Sequence, residues 1–154
     1  MMTILRIVVF GVPAPGGSKK AFVNPRTGRA VIVDDAKRNK PWRESVLWAA
    51  REAMQRQGWR KADGCPLRVE AVFSMPRPKG HYGTGRNVGQ VRESAPRVPM
   101  TKPDATKLWR AAEDALTDSG VWGDDAQVVE QLVTKRYVLR GEQPGVSIRV
   151  CRED

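Results

Sequence analysis

Leu67, Val69, Ala71, Phe73 and Met75 alternate with Arg68, Glu70, Val72 and Ser74, and a two-residue period of this length describes an extended strand with one face turned to a core. A sheet face of that kind needs a covering layer. Two segments are patterned to supply it. From Pro41 to Gln57, Trp42, Val46, Leu47, Ala50 and Met54 recur at spacings of three and four, with Pro41 in the first turn and Gly58 at the stop, which predicts a helix. Ala105 to Thr117 predicts a second, with an apolar stripe of Leu108, Ala111, Ala112, Ala115 and Leu116 and with Asp104 at the N-cap position.

The remaining elements are extended. Ile4 to Val12 is apolar on both faces, as expected of a strand buried within a sheet. "PAPGGSKK" follows as a basic loop, and "AFVNPRTGRAVIV" reads as a hairpin or ribbon carrying Lys19, Lys20, Arg26 and Arg29 around an Asn-Pro-Arg-Thr-Gly turn. Gln127 to Leu139 and Gly145 to Val150 alternate as two strands joined by "RGEQPG", expected to pair antiparallel. With 154 residues and no internal repeat, the expectation is a single α+β domain over 1–154, a mixed β-sheet packed with two main helices.

Between strand and second helix, Pro76 to Lys102 carries four prolines, four glycines, six Lys or Arg and a single Glu with no apolar period. Such a stretch cannot bury enough surface to order itself. A long, mobile, basic loop is expected over 76–103, with a functional role favoured over a linker because its charge suits a nucleic acid. The whole chain leans the same way, with 27 Lys plus Arg against 17 Asp plus Glu, a formal charge of +10 and a pI of about 10.2. A polyanionic partner, DNA or RNA, is favoured over mere surface solubilisation. Cys65 and Cys151 have no neighbouring Cys or His at a zinc or disulfide spacing. The apolar run near the N-terminus is broken by Gly11 and too short for a signal segment or a membrane span, so the expected location is cytoplasmic.

Nucleotide-binding motifs fail. In "GVPAPGGSKK" the residues after Gly16 are Gly17 and Ser18 where a phosphate loop needs Lys and then Ser or Thr, and "GTGRNVG" has its third glycine one position late for a dinucleotide fingerprint. No nucleotide cofactor is expected. His81 is the only histidine and reads as a loop residue rather than a general base. A single-strand or RNA-binding module would need stacking aromatics on an open sheet face, and Tyr82 and Tyr137 are too few and too scattered.

The acids remain. Hydrolysing a phosphodiester requires a more acidic attacking water and neutralisation of extra negative charge, and a hard cation such as Mg²⁺ held by carboxylates provides both. Asp104 at a helix start and Asp124 with Asp125 on the approach to the next strand would converge if that helix packs beside that strand. Lys102, Lys107 and Arg110 flank the first acid, placed to grip a phosphate. Plainer uses exist: Asp104 as a helix cap, Asp124 and Asp125 as turn formers, Asp114 as an ion-pair partner of Lys107 or Arg110.

Lys102 to Val129 resembles the signature of RusA-like Holliday junction resolvases, in which a basic residue and an Asp open a helix ending in "DALT", followed by Gly-x-Trp-x-"DDAQVV". Asp114-Ala115-Leu116-Thr117, Gly120, Trp122 and Asp124 to Val129 match it. The resemblance implies a homodimeric, Mg²⁺-dependent endonuclease that binds four-way DNA junctions and nicks two strands symmetrically, in phage or prophage recombination or DNA repair. By position it implies that Asp104 and Asp125, with Asp124 beside them, are metal-binding and catalytic, and that Arg110 stands at the family's catalytic or DNA-binding lysine. Lys107 would add charge stabilisation, and Lys19, Lys20, Lys102, Lys135 and Arg136 would bind the junction arms.

One departure stands out. The family pattern Asp-x-Asp-Asn-Leu reads Asp104-Ala105-Thr106-Lys107-Leu108 here, so one carboxylate is missing. Its loss should weaken metal affinity unless Asp124, Asp114 or DNA phosphates complete the shell. The alternative reading is therefore a catalytically weak or silent branched-DNA-binding protein.

Overall fold

The computed structural model describes residues 2–16, 19–34 and 39–153, with backbone alone at 19–21 and 32–34. Along the chain run β1 (Met2–Phe10), β2 (Lys19–Val23), β3 (Ala30–Asp34), α1 (Asn39–Gln57), β4 (Leu67–Met75), α2 (Ala105–Ser119), β5 (Val128–Tyr137) and β6 (Gly145–Glu153). The main sheet is mixed, in the order β1-β6-β4-β5, with β4 and β5 parallel and the other neighbours antiparallel. The predicted alternation in β4 holds: Leu67, Val69, Ala71, Phe73 and Met75 are buried. They face Ile7 and Leu5 of β1, Ile148 and Val150 of β6, and the apolar stripes of α1 and α2 in one core. The domain is thus α+β with two main helices on one sheet face.

The helix ends follow from local chemistry. Gly58, at φ 67, lets the chain turn back so that Trp59 N donates to Met54 O at 2.9 Å, a left-handed stop that favours glycine. The hairpin β2–β3 forms as predicted. Its turn is tied by Gly28 N to Asn24 O at 2.8 Å and by Arg26 N to Asn24 Oδ1 at 2.9 Å.

Two strand expectations are corrected. β1 is an edge strand rather than a fully enclosed one: Leu5, Ile7 and Val9 are buried, but Val8 and Phe10 on the other face are 55% and 66% exposed. Among the described residues no helix packs there, and charged pairs such as Arg149–Glu70 at 3.5 Å and Arg68–Glu130 at 3.2 Å line that face. Nor do β5 and β6 pair with each other, because β4 lies between them. The physical reason is composition. β6 presents buried Val146, Ile148 and Val150 and takes a central place, whereas β5, with exposed Glu130, Gln131 and Thr134, suits an edge.

The 76–103 segment has no long element but considerable local structure. Two short 3₁₀ turns, Lys79–His81 and Gly85–Asn87, and bridges between Tyr82 and Val91 and between Gly83 and Val88 fold it on itself. Arg77 lies over the ring of Tyr137 at 4.2 Å and donates to Pro96 O at 2.7 Å, and His81 meets the same ring edge-on. Hydrogen bonds and cation–π contact supply the order that apolar burial cannot.

Candidate active site

Asp104 stands immediately before α2, its φ and ψ extended, and its carboxylate makes no capping hydrogen bond. Only its carbonyl serves the helix, accepting from Leu108 N at 3.0 Å. The capping role open to it in sequence is therefore unfilled, and the exposed carboxylate faces a cleft of about 730 Å³. Lys102, Lys107 and Lys135 line that cleft with Asp104, opposite a wall formed by Val12 to Gly16. Gly16 packs so close to α2 that its N–H donates to Lys107 O at 2.7 Å and an added Cβ would meet Ala111 N at 3.0 Å. The Lys102–Pro103 peptide is cis. Lys135 Nζ, reaching from β5, donates to Thr101 O at 2.9 Å and Pro103 O at 3.0 Å, so one cation fastens the start of α2 to the sheet edge.

The other acids stand at the far end of the same helix. Gly120 at φ 85 closes α2, accompanied by Val121 N donating to Leu116 O at 3.2 Å. Trp122 is wholly buried and its indole N–H donates to Thr117 Oγ1 at 2.8 Å. Gln127 Oε1 accepts from Gly123 N and Asp124 N, each at 3.0 Å, while its amide donates to Cys65 O at 3.0 Å. Asp124 is thereby committed to the turn, its Oδ1 accepting from Ala126 N at 2.8 Å. The Thr117, Gly120, Trp122 and Gln127 of the sequence signature are scaffold for this turn, and what the turn presents is the exposed carboxylate of Asp125.

Asp125 has a neighbour that the sequence pattern did not single out. Glu113, on the half-buried flank of α2, lies within hydrogen-bonding reach of it. Burial, then the charge and hydrogen bond of Asp125, hold the Glu113 carboxyl above its ordinary range. The Trp109 indole opposes the shift, although its buried N–H makes no hydrogen bond of good geometry. The one sequence cue to Glu113 is its placement seven residues after Thr106, two turns along the same side of the helix.

Asp104 and Asp125 are not brought together within the chain. Glu113, the contact of Asp125, lies nine residues along α2 from Asp104, roughly 13 Å at the rise of an α-helix. Asp124, Asp125 and Asp114 line a separate shallow pocket with Arg43 and Asp118, which are themselves paired at 3.3 Å. Arg110 is exposed on the side of α2 reached by Gly16. Arg136 is clasped by both carboxylate oxygens of Glu142 and donates to Tyr137 O at 3.2 Å, which ties down the β5–β6 connection. Lys19 and Lys20 open β2, and their side chains lie outside the described residues.

The family model for the endodeoxyribonuclease RusA matches residues 13–151, nearly the whole folded unit and both ends of α2. The chain belongs to the RusA family. RusA proteins are endodeoxyribonucleases that act on Holliday junctions, so this chain is a hydrolase of DNA whose partner is branched DNA. No curated protein compared with it matches significantly. Among the described residues no helix is long and apolar enough to cross a membrane.

RusA nucleases depend on a divalent metal, and the donor set tests whether one chain can hold it. Among the described residues no three His, Cys, Asp or Glu side chains are grouped to bind an ion. A hard cation of this kind is held by one or two carboxylates and completes its octahedral shell with water and substrate phosphates, so Asp104, or Asp125 with Glu113, could anchor one when DNA is bound.

Proposed function

We propose that this RusA-family chain resolves four-way DNA junctions by symmetric nicking, as a two-fold homodimer using Mg²⁺. The observation that supports this reading is Asp104: a carboxylate unspent on its helix, facing a cleft with three lysines. A phosphodiester laid there would be held by the cations through its non-bridging oxygens, with Asp104 beside the reacting centre. Lys102 and Lys107 neutralise phosphate charge as it increases, and Arg110 on the adjoining helical turn holds the neighbouring phosphate. The loop at 76–103 and the β2–β3 ribbon extend the basic surface along the junction arms.

Catalytic weakness is the second reading, favoured by Thr106 in place of the family's second carboxylate. Cleavage of a synthetic four-way junction, compared with a linear duplex of the same sequence in Mg²⁺ or EDTA, separates the two. Paired nicks in the junction alone, lost in EDTA and in Asp104→Asn, are the expected result. Tight junction binding with no product from the wild type would sink the resolvase reading in favour of a binder.

A further inference from the structure

We infer that the cleft beside Asp104 takes one unstacked nucleotide from the branch point of the DNA, its base held against proline walls and its phosphate by the lysines. The inference rests on the resolvase reading above and names the part of the substrate that fills the site.

The lysines account for only part of this cleft. At about 730 Å³ it falls within the range of about 300–1,000 Å³ that encloses whole small molecules. Six prolines line it: Pro13 and Pro15 in the 12–16 wall, Pro76 and Pro78 where the 76–103 loop leaves β4, and Pro99 and Pro103 where it approaches α2. A phosphate needs no such surroundings. A proline ring presents C–H groups and its nitrogen carries no hydrogen, and several carbonyls of the lining already accept. Lys135 Nζ donates to Thr101 O and Pro103 O, Val138 N to Met75 O at 3.0 Å, His81 N to Pro78 O at 3.0 Å and Gly16 N to Lys107 O. Tyr137 also borders the cleft, but its ring is covered by Arg77 and met edge-on by His81. The walls thus suit a group with flat apolar faces, and Lys102, Lys107 and Lys135 suit a negative charge attached to it. A nucleotide joins the two.

Met100 is a second observation in the same place. It is 77% exposed, and its chain neighbours Pro99 and Thr101 both line the cleft. A long apolar side chain kept in water adds nothing to the core. At a DNA surface such side chains enter between base steps and fill the space that a displaced base leaves. Withdrawing a base from a continuous duplex breaks its pairing and its stacking on both sides, whereas at a branch point the stack is already interrupted. The cleft therefore admits branched DNA more readily than a linear duplex, and the phosphate brought to Asp104 is that of the admitted nucleotide.

2-Aminopurine, whose fluorescence is quenched by stacked neighbours, tests this when placed in turn at each base flanking the branch point of a four-way junction, with Ca²⁺ replacing Mg²⁺ so that nothing is cut. Wild type should brighten the probe at one of these positions or more, and at none in a linear duplex of the same sequence. Val12 lines the cleft and is exposed, so Val12→Trp should fold normally and fill the space with an indole. That variant should abolish the brightening and weaken junction binding on the order of tenfold, while the salt dependence, which counts phosphate contacts, keeps its wild-type slope. Met100→Ala should dim the probe with no change in melting temperature. A wild type that binds the junction and brightens no probe, or a Val12→Trp chain that brightens it as strongly as wild type, would overturn the inference. A wild type that brightens the probe but cuts nothing in Mg²⁺ would defeat the resolvase reading and leave the nucleotide site standing; one that binds no junction would defeat both.

Discussion

Glu113 and Asp125 bring two carboxylates close together at the acidic end of α2, and this has a cost in the absence of metal. Burial and the neighbouring Asp125 raise the Glu113 pKa in the folded chain, so the native state binds its proton more tightly than the unfolded state does. The associated stability is complete below the unfolded glutamate value and is lost as pH rises through the folded value. In EDTA, Glu113→Gln should therefore raise the melting temperature at pH 7 and leave it unchanged near pH 3.5, where both side chains are neutral. A melting difference that grew toward low pH would contradict the assignment. Glu142 behaves in the opposite sense: its clasp of Arg136, then the Leu139 N–H, holds its carboxyl below the ordinary range, so this contact loosens only as the medium becomes acidic enough to protonate it.

At the scale of elements, α2 and the turn after it form one device. The helix presents Asp104 at its start, and Gly120, Thr117 and Trp122 determine where its end delivers Asp125. A β-carbon at Gly120 is disfavoured by its φ of 85° and not by crowding, since nothing lies within 4 Å of the site. Gly120→Ala should cost about 1 kcal/mol through this left-handed conformation, visible as a melting shift of about 2–4 °C for a domain of this size. Because the same turn places Asp125, junction cleavage should fall by more than the lost folded fraction explains. Equal losses in folded fraction and in rate would show that the turn has no say in the position of Asp125.

At the scale of the whole molecule, the net charge of +10 is distributed with a purpose: cations gather at the cleft, along the 76–103 loop and on the ribbon, and acids gather beyond the far end of α2. Binding to a junction should weaken linearly with the logarithm of salt concentration, and Lys102→Ala should reduce the steepness of that dependence by about one phosphate contact. Binding measured between 50 and 200 mM salt checks it, in Ca²⁺ to hold cleavage in abeyance; an unchanged slope would place Lys102 off the DNA path.

How much of this was legible in the sequence divides along the range of the forces involved. The strand Leu67–Met75, both helices, the Asn24–Arg29 turn and the helix-stopping Gly58 were readable because periodicity and turn chemistry act over a few residues. The family signature was readable for the same reason, since Thr117, Gly120, Trp122 and Gln127 serve one local turn. The local order of the loop was not, because its supports, such as Tyr137 beneath Arg77, are sixty residues distant. Neither was the strand order, which put β4 between β5 and β6 and left β5 with an open edge. The contact of Glu113 with Asp125 was not legible either, because it depends on how the turn after α2 folds back on the helix. By itself the sequence determined which elements form and which carboxylates and lysines they carry, because those depend on neighbours in the chain. Only the tertiary structure decided which of those groups meet, because that depends on how buried faces compete for the centre of the sheet.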